Sequence, residues 1–262
     1  MIVLKVPFSK GSLGKNIGSE LAPQTIIDQS EEIFSTELGF APKLAFGAIN
    51  VNQENIEETN RNIIEKVSEE LASEKLCLLG GDHSITYAGF KAFAKKNPGA
   101  GLLILDAHPD CEQGTDIPSH EDFVRLLVTQ GIVAPDRLMH FGLRNFTGSE
   151  KQFLDMNKIQ YFTMRQIKQT GYNSSIDAMT EIANSWPTLY LSIDIDVADP
   201  SCAPGTGYLE PGGFTARQLI NLIQRLKLLR NLKMCDIVEV NPKKDLNDMT
   251  SKLAARLMVE LS

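Results

Sequence analysis

The chain has few cysteines, no basic tract and no long apolar run, and each absence narrows what it can be. Its four cysteines, Cys77, Cys111, Cys202 and Cys235, show no paired spacing. In a chain of 262 residues that pattern points to free thiols in a reducing compartment, taken as the cytoplasm, rather than to a disulfide framework. The formal net charge is −7 and no stretch concentrates Lys or Arg, so neither nucleic acid nor an anionic membrane is an expected partner. No run approaches the roughly 20 apolar residues that cross a bilayer. The segment Met1 to Val6 lacks the basic region and long apolar core of a signal peptide and reads as a first strand. No repeat, low-complexity tract or Pro/Gly linker divides the chain, so residues 1–262 are taken as one domain, and a hydrophobic fraction of 42% supports a sizeable core.

What is present is an alternation of strand-like and helical patterns. Strands are expected at Ile2 to Val6, Leu44 to Ile49, Lys75 to Leu79, Gly101 to Leu105, Arg137 to Phe141, Gln160 to Phe162, Thr188 to Ile193 and Leu232 to Val240. Several are continuous apolar runs, the mark of strands covered on both faces of a parallel sheet. Between them lie amphipathic stripes, for example Ile56, Ile63, Ile64, Val67 and Leu71, and Leu219, Leu222, Ile223, Leu226 and Leu229. Met249, Leu253, Leu257 and Leu261 form another, with Asp248 as the expected N-cap. The alternation predicts a three-layer α/β/α sandwich around a mostly parallel sheet of eight strands. The glycine-rich loop Ser9 to Gly18 has neither dinucleotide-binding nor Walker A spacing and reads as a flexible surface loop over the top of the sheet.

Four segments carry chemistry, and each follows the end of an expected strand: Gly80-Gly81-Asp82-His83-Ser84, Asp106-Ala107-His108-Pro109-Asp110, Ser192-Ile193-Asp194-Ile195-Asp196, and Glu239-Val240-Asn241-Pro242. In a parallel sheet such ends line one edge, where ligands bind. In extended backbone alternate residues point the same way, so Asp106, His108 and Asp110 converge, as do Asp194 and Asp196. The donor set is oxygen and imidazole nitrogen without thiolate, which suits Mn²⁺, Mg²⁺ or Zn²⁺. Asp106, Asp110, Asp194 and Asp196 would bring four negative charges into one pocket, where like charges repel strongly. Two divalent ions balance them and one does not, with His83 and His108 as one neutral ligand for each. A two-metal site can place a hydroxide nucleophile at neutral pH. Asp199, before Pro200, is read as fixing a turn, Cys111 and Cys202 as spacers, and His140 as a core or interface histidine.

These four segments, with weaker echoes at Gly142-Leu143-Arg144, Ala203-Pro204-Gly205-Thr206-Gly207 and Pro211-Gly212-Gly213, resemble the ureohydrolases, which include arginase, agmatinase, guanidinobutyrase and formimidoylglutamase. The resemblance runs through nearly the whole chain in family order. It implies an α/β sandwich with eight parallel strands and a binuclear manganese centre. His83 and Asp110 would hold one ion, His108 and Asp196 the other, and Asp106 and Asp194 would bridge both. Asp110 would also bond the bridging hydroxide and take its proton. Glu239 would pair with the guanidinium group by charge-assisted hydrogen bonds. His120 would pass a proton to the leaving amine. The products would be urea and an amine. A homo-oligomer, trimer or hexamer, is implied by the resemblance alone.

Departures from the pattern concern the substrate's tail. Many members have glycine after the His120 position, where this chain has Glu121-Asp122. Arginases usually carry an Asn and a Ser between the metal Asp and this histidine, and an Asp shortly after Gly-Leu-Arg. Here the intervening segment is Cys111-Glu112-Gln113-Gly114-Thr115-Asp116-Ile117-Pro118, and Asn145-Phe146-Thr147 follows Arg144. The acidic loop, with Glu112, Asp116, Glu121 and Asp122 and with Glu121 and Asp122 as its candidate substrate contacts, favours a cationic tail without a carboxylate, hence agmatine over arginine; solvated surface charge is the competing account. Other readings of the whole are arginase, guanidinobutyrase or formimidoylglutamase, a single-zinc deacetylase-type amidohydrolase, and a non-catalytic binding protein. An unused acidic cluster is costly, which weighs against the last.

Overall fold

The computed structural model describes residues 1–71 and 75–262. Eight strands form one parallel sheet: β1 Ile2–Val6, β2 Ala45–Ala48, β3 Leu76–Gly80, β4 Gly101–Leu105, β5 Leu138–Leu143, β6 Gln160–Thr163, β7 Leu189–Asp194 and β8 Leu232–Val238. Their order across the sheet is β2-β1-β3-β8-β7-β4-β5-β6. Each expected strand is present. The expected strand at Leu232 to Val240 stops at Val238, because Glu239 takes a left-handed backbone (φ 65°) that leaves the sheet. Arg137 falls in a short 3-10 turn, Pro135–Arg137, instead of the strand that follows it.

The helices cover both faces, as continuous apolar strands require. Leu79, Leu103, Leu191 and Ile237 point to one face, under α1 (Ala22–Ser30), α7 (Tyr172–Asn184), α8 (Ala216–Lys227) and α9 (Met249–Leu261). Their neighbours Leu78, Leu102, Tyr190 and Val238 point to the other, under α2 (Ile56–Glu70), α3 (Ile85–Lys96), α4 (Phe123–Thr129) and α5 (Gly148–Met156). A short α6 (Met164–Thr170) adds Ile167 to the first core. This is a three-layer α/β/α sandwich.

Helix starts are set locally. Thr147, Thr163 and Thr215 each close a capping box with Glu150, Gln166 and Gln218. The expected cap of α9 is corrected. Asp248 sits in a left-handed conformation and makes no capping bond. Asp245 does the work from three residues earlier, accepting from the Thr250 N–H at 3.0 Å and the Ser251 N–H at 2.9 Å.

Candidate metal centre

The four motif-bearing strands, β3, β8, β7 and β4, are adjacent at the centre of the sheet, so their C-terminal ends open into one cleft. There the chain order reverses across the sheet, the place where open α/β sheets bind ligands. Gly81 makes the first turn possible. A Cβ there would meet the Phe8 carbonyl at 1.8 Å, whereas glycine lets the Asp82 N–H bond that carbonyl at 2.9 Å. Asp110 (φ 50°) and Glu239 (φ 65°) both hold left-handed backbone, which costs a non-glycine residue about 1 kcal/mol and is tolerated where the surroundings fix it.

The side chains form two overlapping groups. His83 Nδ1 lies 3.2 Å from Asp106, 2.9 Å from Asp110 and 3.2 Å from Asp194 carboxylate oxygens. His108 Nδ1 lies 3.0 Å from Asp196 and 3.6 Å from Asp106. Asp106 faces His83 with one oxygen and His108 with the other, so it belongs to both groups. His83 Nδ1 and Asp106 Oδ2 are buried and have no hydrogen-bond partner. Three of these carboxylates are also held by main-chain amides: Asp106 accepts from His108 N, Asp194 from Asp196 N and Asp196 from Ala107 N.

The charge balance is strained without a cation. Burial, then the charge of Asp106, pushes the Asp110 carboxyl up to about 7. Burial with Asp196 and Asp106 raises Asp194 well above the carboxylate range. Burial opposes charge on His83, yet the three carboxylates around it outweigh burial and hold its pKa well above normal. Protons thus stand where divalent ions would fit. The donor set, the convergence on buried unpartnered atoms and the surplus of carboxylates all fit metal binding.

A second layer orients the first. His83 Nε2 meets Ser192 Oγ at 2.8 Å, and Ser192 Oγ donates to Asp236 at 2.6 Å. Tyr190 and Thr86 hydroxyls satisfy the other Asp236 oxygen at 2.7 and 2.8 Å. The chain fixes the ring so that Nδ1 faces the carboxylates. Arg144 threads under the far side, donating to the main-chain carbonyls of Asp196, Ala198 and Glu210. Asp199 Oδ2 accepts from Gly212 and Gly213 N–H groups and fixes a turn. His140 is buried with Nε2 3.1 Å from the Pro109 carbonyl, and burial lowers its pKa to about 4.

Glu239 closes the cleft. Oε1 accepts the His83 N–H at 2.7 Å and faces His120 Nδ1 at 3.2 Å; Oε2 accepts the Asn16 amide at 2.6 Å. Burial opposes the charge on His120, but Glu239 raises its pKa to about 9. Tyr208 stacks on His120 at 5.9 Å and donates its hydroxyl to Glu121 at 2.9 Å. Asp122, expected beside Glu121 at the substrate, is turned into its own loop: it accepts the Ser119 N–H at 2.6 Å and packs on Gly114. It does not line the cleft that His108, His120, Glu121 and Glu239 share. The Ser9 to Gly18 loop is also corrected. Gly11, Ser12 and Asn16 are buried, the Gly11 carbonyl accepts from His120 N, and Asn16 bonds both Glu239 and Asn241.

The family model described as "Arginase family" matches residues 1–262. The chain belongs to the arginase family. Its similarity to the formimidoylglutamase of Halalkalibacterium halodurans is 29% identity over 271 residues, covering 98% of this chain and 84% of that one. To the mitochondrial agmatinase of Gallus gallus it is 32% over 269 residues, covering 98% and 78%. The solved formimidoylglutamase of Bacillus subtilis superposes with a TM-score of 0.93 at 26% identity, covering 99% of this chain and 85% of that one. This arginase-family chain is a hydrolase of guanidino or amidino groups, and its clustered His and Asp side chains are able to bind metal.

Three contributors were not weighed in the sequence: Asn16, Tyr208 and Asp236. Asp236 left a signal, a carboxylate inside the apolar run Leu232 to Val238. Asn16 left none, since it meets Glu239 across 223 residues.

Proposed function

We propose that the chain is a binuclear manganese agmatinase, converting agmatine to putrescine and urea. Asp106 and Asp194 would hold both ions, His83 and Asp110 one of them, and His108 and Asp196 the other. Bound there, the ions would supply an activated water as nucleophile. Glu239 receives the guanidinium. Its carboxylate has about four lone-pair sites, and His83 N, His120 and Asn16 already use three. A bidentate fork therefore requires His120, at 3.2 Å the longest of these contacts, to yield its place. Thus released, His120 is placed to give a proton to the leaving amine. Asp110 accepts the proton of the attacking water.

One observation carries the choice of substrate: Glu112, Glu121 and Glu150 line the outer cleft, and among the described residues no Lys or Arg does. Arginine, guanidinobutyrate and formimidoylglutamate all present carboxylates to that wall, and agmatine presents an ammonium. The test is product release by manganese-loaded protein with the four compounds side by side, urea for three and formamide for formimidoylglutamate. Agmatine should be turned over fastest. Faster turnover of a carboxylate-bearing compound overturns agmatinase; no product from any overturns the hydrolase assignment of this cleft. The same reading takes residues 1–262 as one domain of a cytoplasmic homo-oligomer. No helix among the described residues is long and apolar enough to cross a membrane.

A further inference from the structure

The outer wall offers several carboxylates, and their partners separate their roles. Glu150 is spent on local structure: it accepts the Thr147 N–H at 2.9 Å and the Cys111 N–H at 3.3 Å. Glu121 belongs to the reacting end, bonded to Tyr208 and 3.8 Å from His120 Nε2. Asp122 faces its own loop.

Glu112 differs. It follows Asp110 by two residues, so their Cα atoms are at most about 7 Å apart, a span that an extended butyl chain bridges. Its carboxylate accepts the Thr147 hydroxyl at 3.3 and 3.4 Å, the Ser149 hydroxyl, and the Gln113 N–H at 3.3 Å. All of these donors are neutral. No Lys or Arg pairs with it among the described residues. The nearby Arg125 instead donates to the Cys111 and Glu112 main-chain carbonyls and stacks on Phe153 at 4.2 Å. Asn145 and Phe146 complete the same wall, Phe146 offering an apolar surface for methylenes. A carboxylate oriented by hydroxyls, uncompensated by a cation and one short chain-length from the metal centre is built to meet an ammonium.

We propose that Glu112, oriented by Thr147 and Ser149, determines specificity by binding the substrate's terminal ammonium and repelling tails that end in a carboxylate. This rests on the guanidino-hydrolase reading of the cleft and assigns the residue that reads the tail.

The test uses full-length manganese-loaded protein and three substrates of one length: agmatine, butylguanidine and 4-guanidinobutyrate. Wild type should prefer agmatine to butylguanidine. Glu112→Gln should lower that preference, as a ratio of kcat/KM, by about 30-fold or more, through KM and not kcat. Glu112→Lys should turn the ranking toward 4-guanidinobutyrate, and Glu112→Asp should recover part of the agmatine preference. Manganese content and melting midpoint, measured for each variant, separate a tail contact from a folding defect. A Gln variant that lowers all three substrates by one factor, or keeps the preference, overturns the role of Glu112. Wild type that cleaves all three without preference also overturns it and leaves the guanidino chemistry standing. No urea from any of the three overturns the hydrolase reading on which it rests.

Discussion

Chelation should make the stability of this protein fall as pH rises from 5 to 7, and manganese should abolish the trend. In the cleft, Asp110 titrates near 7 because burial and the charge of Asp106 oppose its ionisation, against an ordinary 3.8. Between those values the folded chain keeps a proton that the unfolded chain has released. Stability therefore drops by at most about 1.4 kcal/mol per pH unit for this group, or about 2 kcal/mol from pH 5 to pH 7, because the slope halves as the folded carboxyl itself ionises near 7. Asp194 and Asp196, also raised, act in the same sense. So does His83, which holds its proton above the ordinary imidazole range and adds to the loss above about 6.5. Asp106 and Glu239 are lowered, so their contribution is lost only as pH falls below the ordinary carboxylate values. That window lies outside the measurement. For a chain of this size about 2 kcal/mol corresponds to a drop in melting midpoint of about 4–8 °C. Metal ions displace these protons and remove the linkage. Thermal melts of chelated and manganese-loaded protein at pH 5, 6, 7 and 8 read it directly. A chelated midpoint that is flat or rises over this range refutes the reasoning.

Four substitutions probe the supporting residues. Asp236→Asn breaks the Ser192 relay behind His83 and should weaken manganese affinity about 10–100-fold in a competition titration; wild-type affinity would remove Asp236 from the centre's support. Asn16→Ala removes a 2.6 Å donor from Glu239 and should lower kcat/KM about 10–100-fold with manganese content intact; parallel loss of metal would mean the loop supports the whole cleft. Asp245→Ala should cost about 1 kcal/mol in denaturant unfolding, and Asp248→Ala no more than about 0.5; the reverse order would restore Asp248 as the cap of α9.

The layers and the strands were legible because burial on both faces writes unbroken apolar runs such as Gly101 to Leu105, and no helix or exposed strand needs that pattern. The metal-ligand segments were legible because alternate spacing survives in one dimension. The order of the strands was not. Nothing local says that β8 lies between β3 and β7, and only that insertion brings Glu239 to His83. Asp122 reads in sequence as a substrate contact beside Glu121, whereas it turns back onto the Ser119 N–H three residues away. The glycine-rich Ser9 to Gly18 loop looks solvated in sequence because the partner of Asn16, Glu239, is a matter of tertiary placement.

The cleft should also be a place where the chain is less stable than it could be. Asp110 combines a left-handed backbone, near-complete burial of its ionisable group and the repulsion of Asp106, and none of the three helps folding without metal. Asparagine accepts the same backbone, since Asn is among the residues that tolerate positive φ. Its amide would lie beside His83 Nδ1, which is 2.9 Å from the Asp110 carboxylate, and it carries no charge to bury. In chelated protein at pH 8, Asp110→Asn should therefore raise stability by about 2 kcal/mol or more, part of the ionisation penalty that Asp110 bears there. With manganese the order should invert, because wild type gains binding free energy through a ligand that the variant lacks. Paired melts at pH 8 with chelator and with manganese read both arms. A variant less stable than wild type under chelation would mean that Asp110 holds the fold together as well as the ion, and that the crowding of carboxylates around His83 is not the source of the instability.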